Sequence, residues 1–168
     1  MTDLRLETAR LMLVAFTVEL IDALPDRARA EHEIGAAIPD GWPDEELAGL
    51  LSLYVDWARR DPTVVGFGPW ILIARDENVV VGSAGFVGKP KDGSIELGFG
   101  VHAAYRNRGY ASEAARALVD WGLGRRDVER VVATCDRDNL ASARVLEKVG
   151  MARVGDADGQ LRWELRRR

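Results

Sequence analysis

The stretch YRNRGYASE, residues 105–113, joins a predicted strand to a predicted helix. It follows a segment with the alternation of a β-strand, residues 94–101, and opens an alanine-rich segment with helical periodicity, residues 109–123. Gly109 lets the backbone approach a ligand closely, and the small side chain of Ala111 keeps the entrance open. Because the first N–H groups of a helix attract anions, the stretch predicts a phosphate-binding helix start. An ordinary loop with a helix cap is the alternative.

The donors of this predicted site are mostly backbone groups. Successive N–H groups over residues 107–111 can point at phosphate oxygens, and Ser112 can add a hydroxyl donor. The residues that we expect to contact the anion are Arg106, Asn107, Arg108, Gly109, Tyr110, Ala111 and Ser112.

Outward from this loop, predicted strands and helices alternate with short turns. Helix starts are indicated at Thr17 and near Asp44, and a hairpin is indicated around Asp158 and Gly159. The other predicted elements are strands at 10–16, 70–75, 79–87, 94–101 and 130–135 and helices at 109–123 and 139–149. This order predicts an α/β fold in which antiparallel strands come first and a βαβ unit lies near residues 94–136. We expect a single domain over residues 1–168.

Composition restricts the class of protein. The 168 residues are 47% apolar and 30% charged, which is enough apolar content for a folded core. The sequence has no 18-residue uncharged run, and the charged stretch MTDLRLETARLML lacks the apolar run of a secretory signal. Cys135 is the single cysteine, so no internal disulfide can form. We therefore expect a cytoplasmic protein that does not bind membranes.

Charge is distributed unevenly. Residues 1–50 hold 11 acidic residues against 4 arginines, whereas residues 106–168 hold 14 basic against 10 acidic residues. This asymmetry suits a cationic substrate and an anionic cofactor, although a mixed solvated surface gives the same totals. The scatter of the arginines and the pI of about 5.3 oppose nucleic-acid binding.

Two motifs carry a resemblance to a known family. Arg106, Gly109 and Ala111 form RxxGxA, which resembles the acyl-CoA pyrophosphate loop of the GNAT superfamily of N-acetyltransferases. DRDNLASARVLEKVGMARVG, residues 136–155, resembles the Asn-plus-helix segment of its ribosomal-protein N-terminal acetyltransferase branch (RimJ/RimL-like), although Met151 replaces the usual Phe or Tyr. The resemblance implies the GNAT fold: a mixed central sheet of about seven strands, about four flanking helices, and a splayed, bulged strand at the cofactor site.

The resemblance implies direct transfer of an acetyl group from acetyl-CoA to a primary amine, a protein N-terminus or a small amine. A non-catalytic acyl-CoA-binding or sensing module of the same fold is the alternative. For partners we expect an amine acceptor, and a homodimer is left open. Two distant histidines and one cysteine offer no ligand spacing, so no metal is expected.

An oxyanion site is predicted in LGFGV, residues 97–101. Glycines inside a strand favour a bulge or a close backbone approach, which would free N–H groups around Phe99, Gly100 and Val101. The resemblance implies that this strand holds the thioester carbonyl and the pantetheine arm. The alternative is that Gly98 and Gly100 relieve packing against aromatic neighbours.

A general base is predicted at Glu96. It is the only carboxylate in that strand, and alternation places it on the same face as the two glycines. It also matches the Glu that the resembling branch has there, and it would take the ammonium proton directly or through water; a surface or salt-bridged Glu is the alternative. His102 and His32 are weaker candidates.

The leaving thiolate needs a stabilising group. Many superfamily members have a Tyr seven residues after the Asn, and this sequence has Leu146 there. Ser142 matches the Ser of the resembling branch, and its hydroxyl can bond the sulfur; bonding to its own helix backbone is the alternative. Asn139 is predicted as a helix N-cap, a pantetheine contact, or both. Cys135 is interpreted as a small buried residue.

The acceptor site is expected between the first strand and residue 70, where aromatic and acidic residues occur together. Trp42, in a loop between two prolines, is the predicted substrate contact. A stripe at helical spacing predicts that Tyr54 and Trp57 belong to the core instead, together with Leu47, Leu50 and Leu51.

Overall fold

The structure is a computed structural model that describes residues 4–168. One eight-stranded sheet runs through it in the order β1-β2-β3-β4-β5-β6-β8-β7. All neighbouring strands are antiparallel except β5 and β6, which are parallel. The strands are β1 (Arg5–Glu7), β2 (Leu11–Ala15), β3 (Pro69–Ala74), β4 (Val79–Phe86), β5 (Ser94–Val101), β6 (Arg130–Asp136), β7 (Ala152–Ala157) and β8 (Gln160–Arg166).

Five α-helices occur within residues 4–168, and four of them begin where their sequence signals predict. They are α1 (Val18–Ala23), α2 (Arg27–Ile34), α3 (Glu45–Arg60), α4 (Tyr110–Leu123) and α5 (Leu140–Val149). The prediction of about seven strands and four helices omitted β1, which has only three residues, and α2. Helix α2 escaped prediction because only Ala30 and Ile34 are buried in its polar sequence, which leaves almost no apolar periodicity.

Two hydrophobic clusters lie on opposite faces of the sheet. On one face, α4 and α5 cover the sheet from β2 to β8. On the other face, α1, α2 and α3 pack on β2, β3 and β4. This second cluster includes no residue of β5–β8 from the described chain, so the far half of that face lacks a helical cover. The uncovered half carries Glu96, because its neighbours Ile95 and Leu97 face the cluster beneath α4 and α5.

One part of the predicted core is wrong. Helix α3 buries Leu47, Leu51, Tyr54 and Ala58, whereas Leu50 and Trp57 are 42% and 40% exposed. The helix rests on the sheet along the face through positions 47, 51, 54 and 58, and this turns Leu50 and Trp57 to the edge. Burial raises the pKa of Tyr54 to about 12, and its hydroxyl donates to the carbonyl of Phe16 at 3.1 Å.

The predicted splay of the strand at residues 94–101 is present, but the bulge is not in this strand. Strands β5 and β6 pair only from Ser94 to Glu96, and beyond that point they separate. The register between β4 and β5 is continuous through Val101. The register shifts within residues 4–168 lie between β3 and β4, at Leu72 and Ile73, and between β7 and β8, at Arg153 and Gly155. The gap therefore opens because parallel pairing stops after three residues.

No helix in residues 4–168 has both the length and the apolar run required to cross a bilayer.

Candidate active site

The predicted phosphate loop connects the end of β5 to the start of α4. Asn107 and Gly109 both have positive φ, 63° and 82°, so the backbone turns sharply twice within three residues. Gly109 is the N-cap of α4 and provides no side-chain cap. Each of the other four α-helices in the described chain has an N-cap whose side chain accepts a backbone N–H. The start of α4 therefore leaves N–H donors for a ligand.

The side chains of this loop have separate partners. Arg106 Nε donates to the carbonyl of Val101 at 3.0 Å, which fixes the loop to the end of β5. Arg108 forms an ion pair with Glu77 at 3.2 Å and lies over the ring of Tyr105. Burial restricts three of the predicted contacts. The Tyr110 side chain is buried in the core, so only its N–H is free to face a ligand, and Ala111 and Ser112 are half-buried in the first turn of α4.

The backbone of β5 alternates between the two neighbouring strands. The carbonyl of Glu96 accepts from Val87 N, and His102 N donates to Val81, so the even-numbered residues bond toward β4. The backbone groups of Phe99 and Val101 consequently face the gap that β6 leaves, whereas those of Gly100 face β4. Of the three residues predicted at the oxyanion site, two thus offer N–H groups to the gap.

The two strand glycines leave open space on the face that carries Glu96. A Cβ added at Gly98 or Gly100 would meet no atom within 4 Å, so neither glycine relieves packing against an aromatic ring. That alternative is therefore wrong. Side chains at these positions would instead project from the uncovered half of the sheet beside the gap.

Glu96 lies on this uncovered face at the point where β5 and β6 separate. Its Oε1 lies 3.5 Å from Thr134 Oγ1, a long hydrogen bond across the opening of the gap. Glu96 has no ion pair among the described residues, so the salt-bridged alternative is not observed. Thr134 was missed by sequence reasoning, and the parallel register of Glu96 with Val132 places it two residues further along the same face.

The start of α5 stands at the end of β6, beside the same gap. Asn139 is the N-cap, and its Oδ1 accepts from Ser142 N at 3.1 Å, which confirms the predicted cap. The Ser142 hydroxyl makes no hydrogen bond to the described residues, in contrast to the backbone-bonded alternative. Leu146 lies one turn further on nearly the same side of the helix and is buried in the core.

The other candidate bases and nucleophiles are hydrogen-bonded to the backbone, exposed on another helix, or buried. His102 Nδ1 accepts from Ala104 N at 3.2 Å, so Nε2 carries the proton and donates to the carbonyl of Asp40 at 2.8 Å. Both ring nitrogens are therefore occupied. His32 is exposed on α2, far along the chain from the gap. Cys135 is buried, as predicted.

The side chain of Trp42, the predicted substrate contact, is buried. It stacks on Phe16 with ring centroids 6.1 Å apart, and it lines a small cavity of about 140 Å³ together with Arg27 and Asp40. Its Nε1 has no hydrogen-bond partner among residues 4–168. Through the hydrogen bond between Asp40 and His102, the same loop reaches the chain just beyond the end of β5.

Comparison with known proteins identifies the family of this chain. A family model described as the acetyltransferase (GNAT) domain matches residues 10–152. The chain belongs to the GNAT acetyltransferases. YjdG of Bacillus subtilis, described as an uncharacterised N-acetyltransferase, is 35% identical over 147 residues. These residues are 86% of this chain and 88% of that protein. This GNAT chain is accordingly an acetyltransferase.

Solved GNAT structures share its fold. A GNAT-family acetyltransferase from Bacillus anthracis superposes with a TM-score of 0.65 at 23% identity, over 97% of this chain and 98% of that one. RimL, a ribosomal L7/L12 α-N-protein acetyltransferase solved with coenzyme A, gives a TM-score of 0.66 at 18% identity, over 95% of each chain. The ribosomal-protein branch that the sequence resembles is thus represented among the structural neighbours.

Within residues 4–168, no three His, Cys, Asp or Glu side chains are placed to hold a metal ion.

Proposed function

We propose that this protein transfers the acetyl group of acetyl-CoA directly to a primary amine, either a protein N-terminus or a small amine. The observation that carries the proposal is the uncapped start of α4, which lies beside the gap between β5 and β6. Backbone N–H groups at the helix start suit the pyrophosphate, and the gap suits the narrow pantetheine arm.

The thioester carbonyl belongs in the gap beside the N–H groups of Phe99 and Val101. When the amine attacks, a C–N bond forms and the carbonyl oxygen becomes negatively charged. Donors that already point at this oxygen stabilise the charge without having to reorganise. Gly98 and Gly100 keep the approach from the uncovered face free of side chains.

Nitrogen loses two protons in the reaction. Before the attack, Glu96 takes the ammonium proton, directly or through water, because it lies on the face from which the amine arrives. As the tetrahedral intermediate collapses, the C–S bond breaks, the electron pair goes to sulfur, and the second nitrogen proton passes to the departing thiolate or to solvent. Ser142 donates a hydrogen bond to this thiolate, since its hydroxyl has no partner within the described chain and stands at the helix start beside the gap. Asn139 fixes that helix start.

The acceptor binds on the uncovered face, with the loop of Trp42 on one side. The acidic character of residues 1–50 suits a cationic amine. The proposal includes a cytoplasmic location, which the single cysteine favours. A homodimer stays a prediction that sedimentation of the purified chain would check.

The test is a thiol-release assay with acetyl-CoA and a panel of N-terminal peptides and small amines. The matched control for each acceptor is the same molecule with its amine already acetylated. We expect release with at least one free amine, none with its blocked form, and one added acetyl group in the product by mass spectrometry. Binding of CoA without turnover of any amine would favour the sensing module, and absence of CoA binding would refute both.

A further inference from the structure

An arginine outside the sequence motifs holds the predicted phosphate loop. Arg10 lies between β1 and β2, yet its Nη1 donates to the carbonyl of Arg108 at 2.7 Å, across 98 residues of chain. Its Nε donates to Glu113 Oε2 at 2.7 Å, and its backbone N donates to Glu113 Oε1 at 2.7 Å. Thr8 Oγ1 is the third donor to the Glu113 carboxylate and bonds Oε1 at 2.6 Å. Arg10 thus connects an edge of the sheet to both the loop and the first turn of α4.

Glu113 is a well-anchored partner for Arg10. Its side chain is only 18% exposed. Burial works to raise the pKa of Glu113, but the hydrogen bonds from Thr8 and Arg10 outweigh this effect and lower it. The carboxylate is therefore charged at neutral pH, and it holds the guanidinium between α4 and the loop. The same guanidinium lies over the ring of Tyr110, 4.8 Å from its centroid.

The contact with Arg108 determines where one N–H group of the loop points. In a trans peptide the C=O and the following N–H point in opposite directions. Because the carbonyl of Arg108 points at Arg10, the N–H of Gly109 must point away from Arg10. The loop is exposed, and its positive φ angles at Asn107 and Gly109 are not enforced by core packing, so the contact with Arg10 helps to keep this direction.

We propose that Arg10, anchored by Glu113, is a positioning residue that pre-organises the pyrophosphate-binding loop. This inference rests on the proposed function, since it assumes that the loop binds acetyl-CoA. A loop already held in its binding conformation loses less freedom when the ligand arrives, and this increases affinity. The Arg10→Ala variant is expected to weaken CoA binding about tenfold, the scale of a few immobilised torsions.

The chain offers a matched control in Arg75. Its Nη1 donates to the carbonyls of Thr8 and Ala9, and its Nη2 pairs with Glu7 at 2.6 Å. Arg75 therefore holds the same β1–β2 turn without touching residues 106–112. The Arg75→Ala variant removes a comparable arginine from that turn and leaves the loop contacts in place.

The experiment combines hydrogen exchange with calorimetry. Amide exchange over residues 106–112 is measured in the free protein, CoA affinity is measured by titration, and thermal unfolding reports whether each variant folds. We expect faster loop exchange and weaker CoA binding in Arg10→Ala, with wild-type values for both in Arg75→Ala. Arg10→Lys keeps the charge but cannot reach both partners at once, so it is expected to fall between wild type and Arg10→Ala.

Glu113→Gln separates positioning from direct attraction between Arg10 and the anion. This variant keeps the charge of Arg10 but weakens its anchor, so positioning predicts faster loop exchange and weaker CoA binding. Unchanged or tighter binding would overturn the proposal in favour of a purely electrostatic Arg10. Equal effects of Arg75→Ala and Arg10→Ala would also overturn it, as would unchanged loop exchange in Arg10→Ala. If wild type binds no CoA, the proposed function fails, while the exchange measurement still tests the anchor.

Discussion

Replacement of Gly109 by Ala tests the phosphate loop most directly. Gly109 has a φ of +82°, and an added Cβ would meet only Arg10 Nη2, at 3.2 Å, so the anchored guanidinium would have to shift by a few tenths of an ångström. The larger cost is conformational: a residue with a Cβ loses about 1–2 kcal/mol in the left-handed region. Because the position is exposed, the free loop of Gly109→Ala can relax out of this conformation. CoA binding must then restore it, which predicts an affinity lower by about 5- to 30-fold.

A second glycine provides the matched control for this measurement. Gly150, the C-cap of α5, has a φ of +95°, and an added Cβ there would meet no atom within 4 Å. Gly150→Ala carries the same conformational cost at a site without a loop that binds ligand. We expect it to lower the unfolding free energy by about 1–2 kcal/mol without changing CoA affinity. Both quantities are accessible by calorimetric titration and thermal unfolding.

Either of two results would contradict this role of Gly109. Wild-type CoA affinity in Gly109→Ala would show that binding does not require the left-handed conformation of this residue. An equal loss of affinity in Gly150→Ala would show that the effect reflects general destabilisation of the chain.

Three further predictions concern the proposed chemistry and the loop anchor. Glu96→Gln should retain CoA binding and thermal stability while turnover falls, and an unchanged rate with an unchanged acidic limb of the pH profile would make Glu96 structural. Ser142→Ala should lower kcat on the order of ten- to a hundredfold at constant CoA affinity, whereas full activity would assign the thiolate to water or to no group. Glu113 has a lowered pKa in the folded protein, so its stabilisation is present above the ordinary value of 4.5 and is lost as pH falls through the lowered one. The stability difference between wild type and Glu113→Gln should therefore shrink on acidification, and a constant difference would contradict it.

Local signals in the sequence predicted most elements of the fold. Thr17 and Asn139 cap the helices that they were expected to cap, and α3 begins directly after Asp44, near the predicted start. Gly150 ends α5 in the left-handed conformation. Asp158 and Gly159 both have positive φ in the predicted hairpin. These signals succeed because each depends on hydrogen bonds or torsions within a few residues.

Features that depend on contacts between distant residues were not predictable in the same way. The partnership of Arg10 with Glu113 joins residues 103 apart, and no local pattern marks either residue. The gap in the sheet was expected from a bulge in β5, but it results from the point at which pairing with β6 ends. Trp57 was assigned to the core because periodicity defines a stripe without showing how far the neighbouring sheet extends beneath it.

The alternation along β5 divides two tasks between the main chain and the side chains of a single strand. Under the proposed function, the acyl group is held by amide hydrogens of Phe99 and Val101, which every non-proline residue possesses. Selection among acceptors falls to the uncovered face, which carries the Glu96 side chain and the two positions without a side chain, Gly98 and Gly100. Substitutions on that face can therefore change which amine is accepted while the donors to the thioester stay in place, so a new acceptor preference does not require a new way of holding the acetyl group.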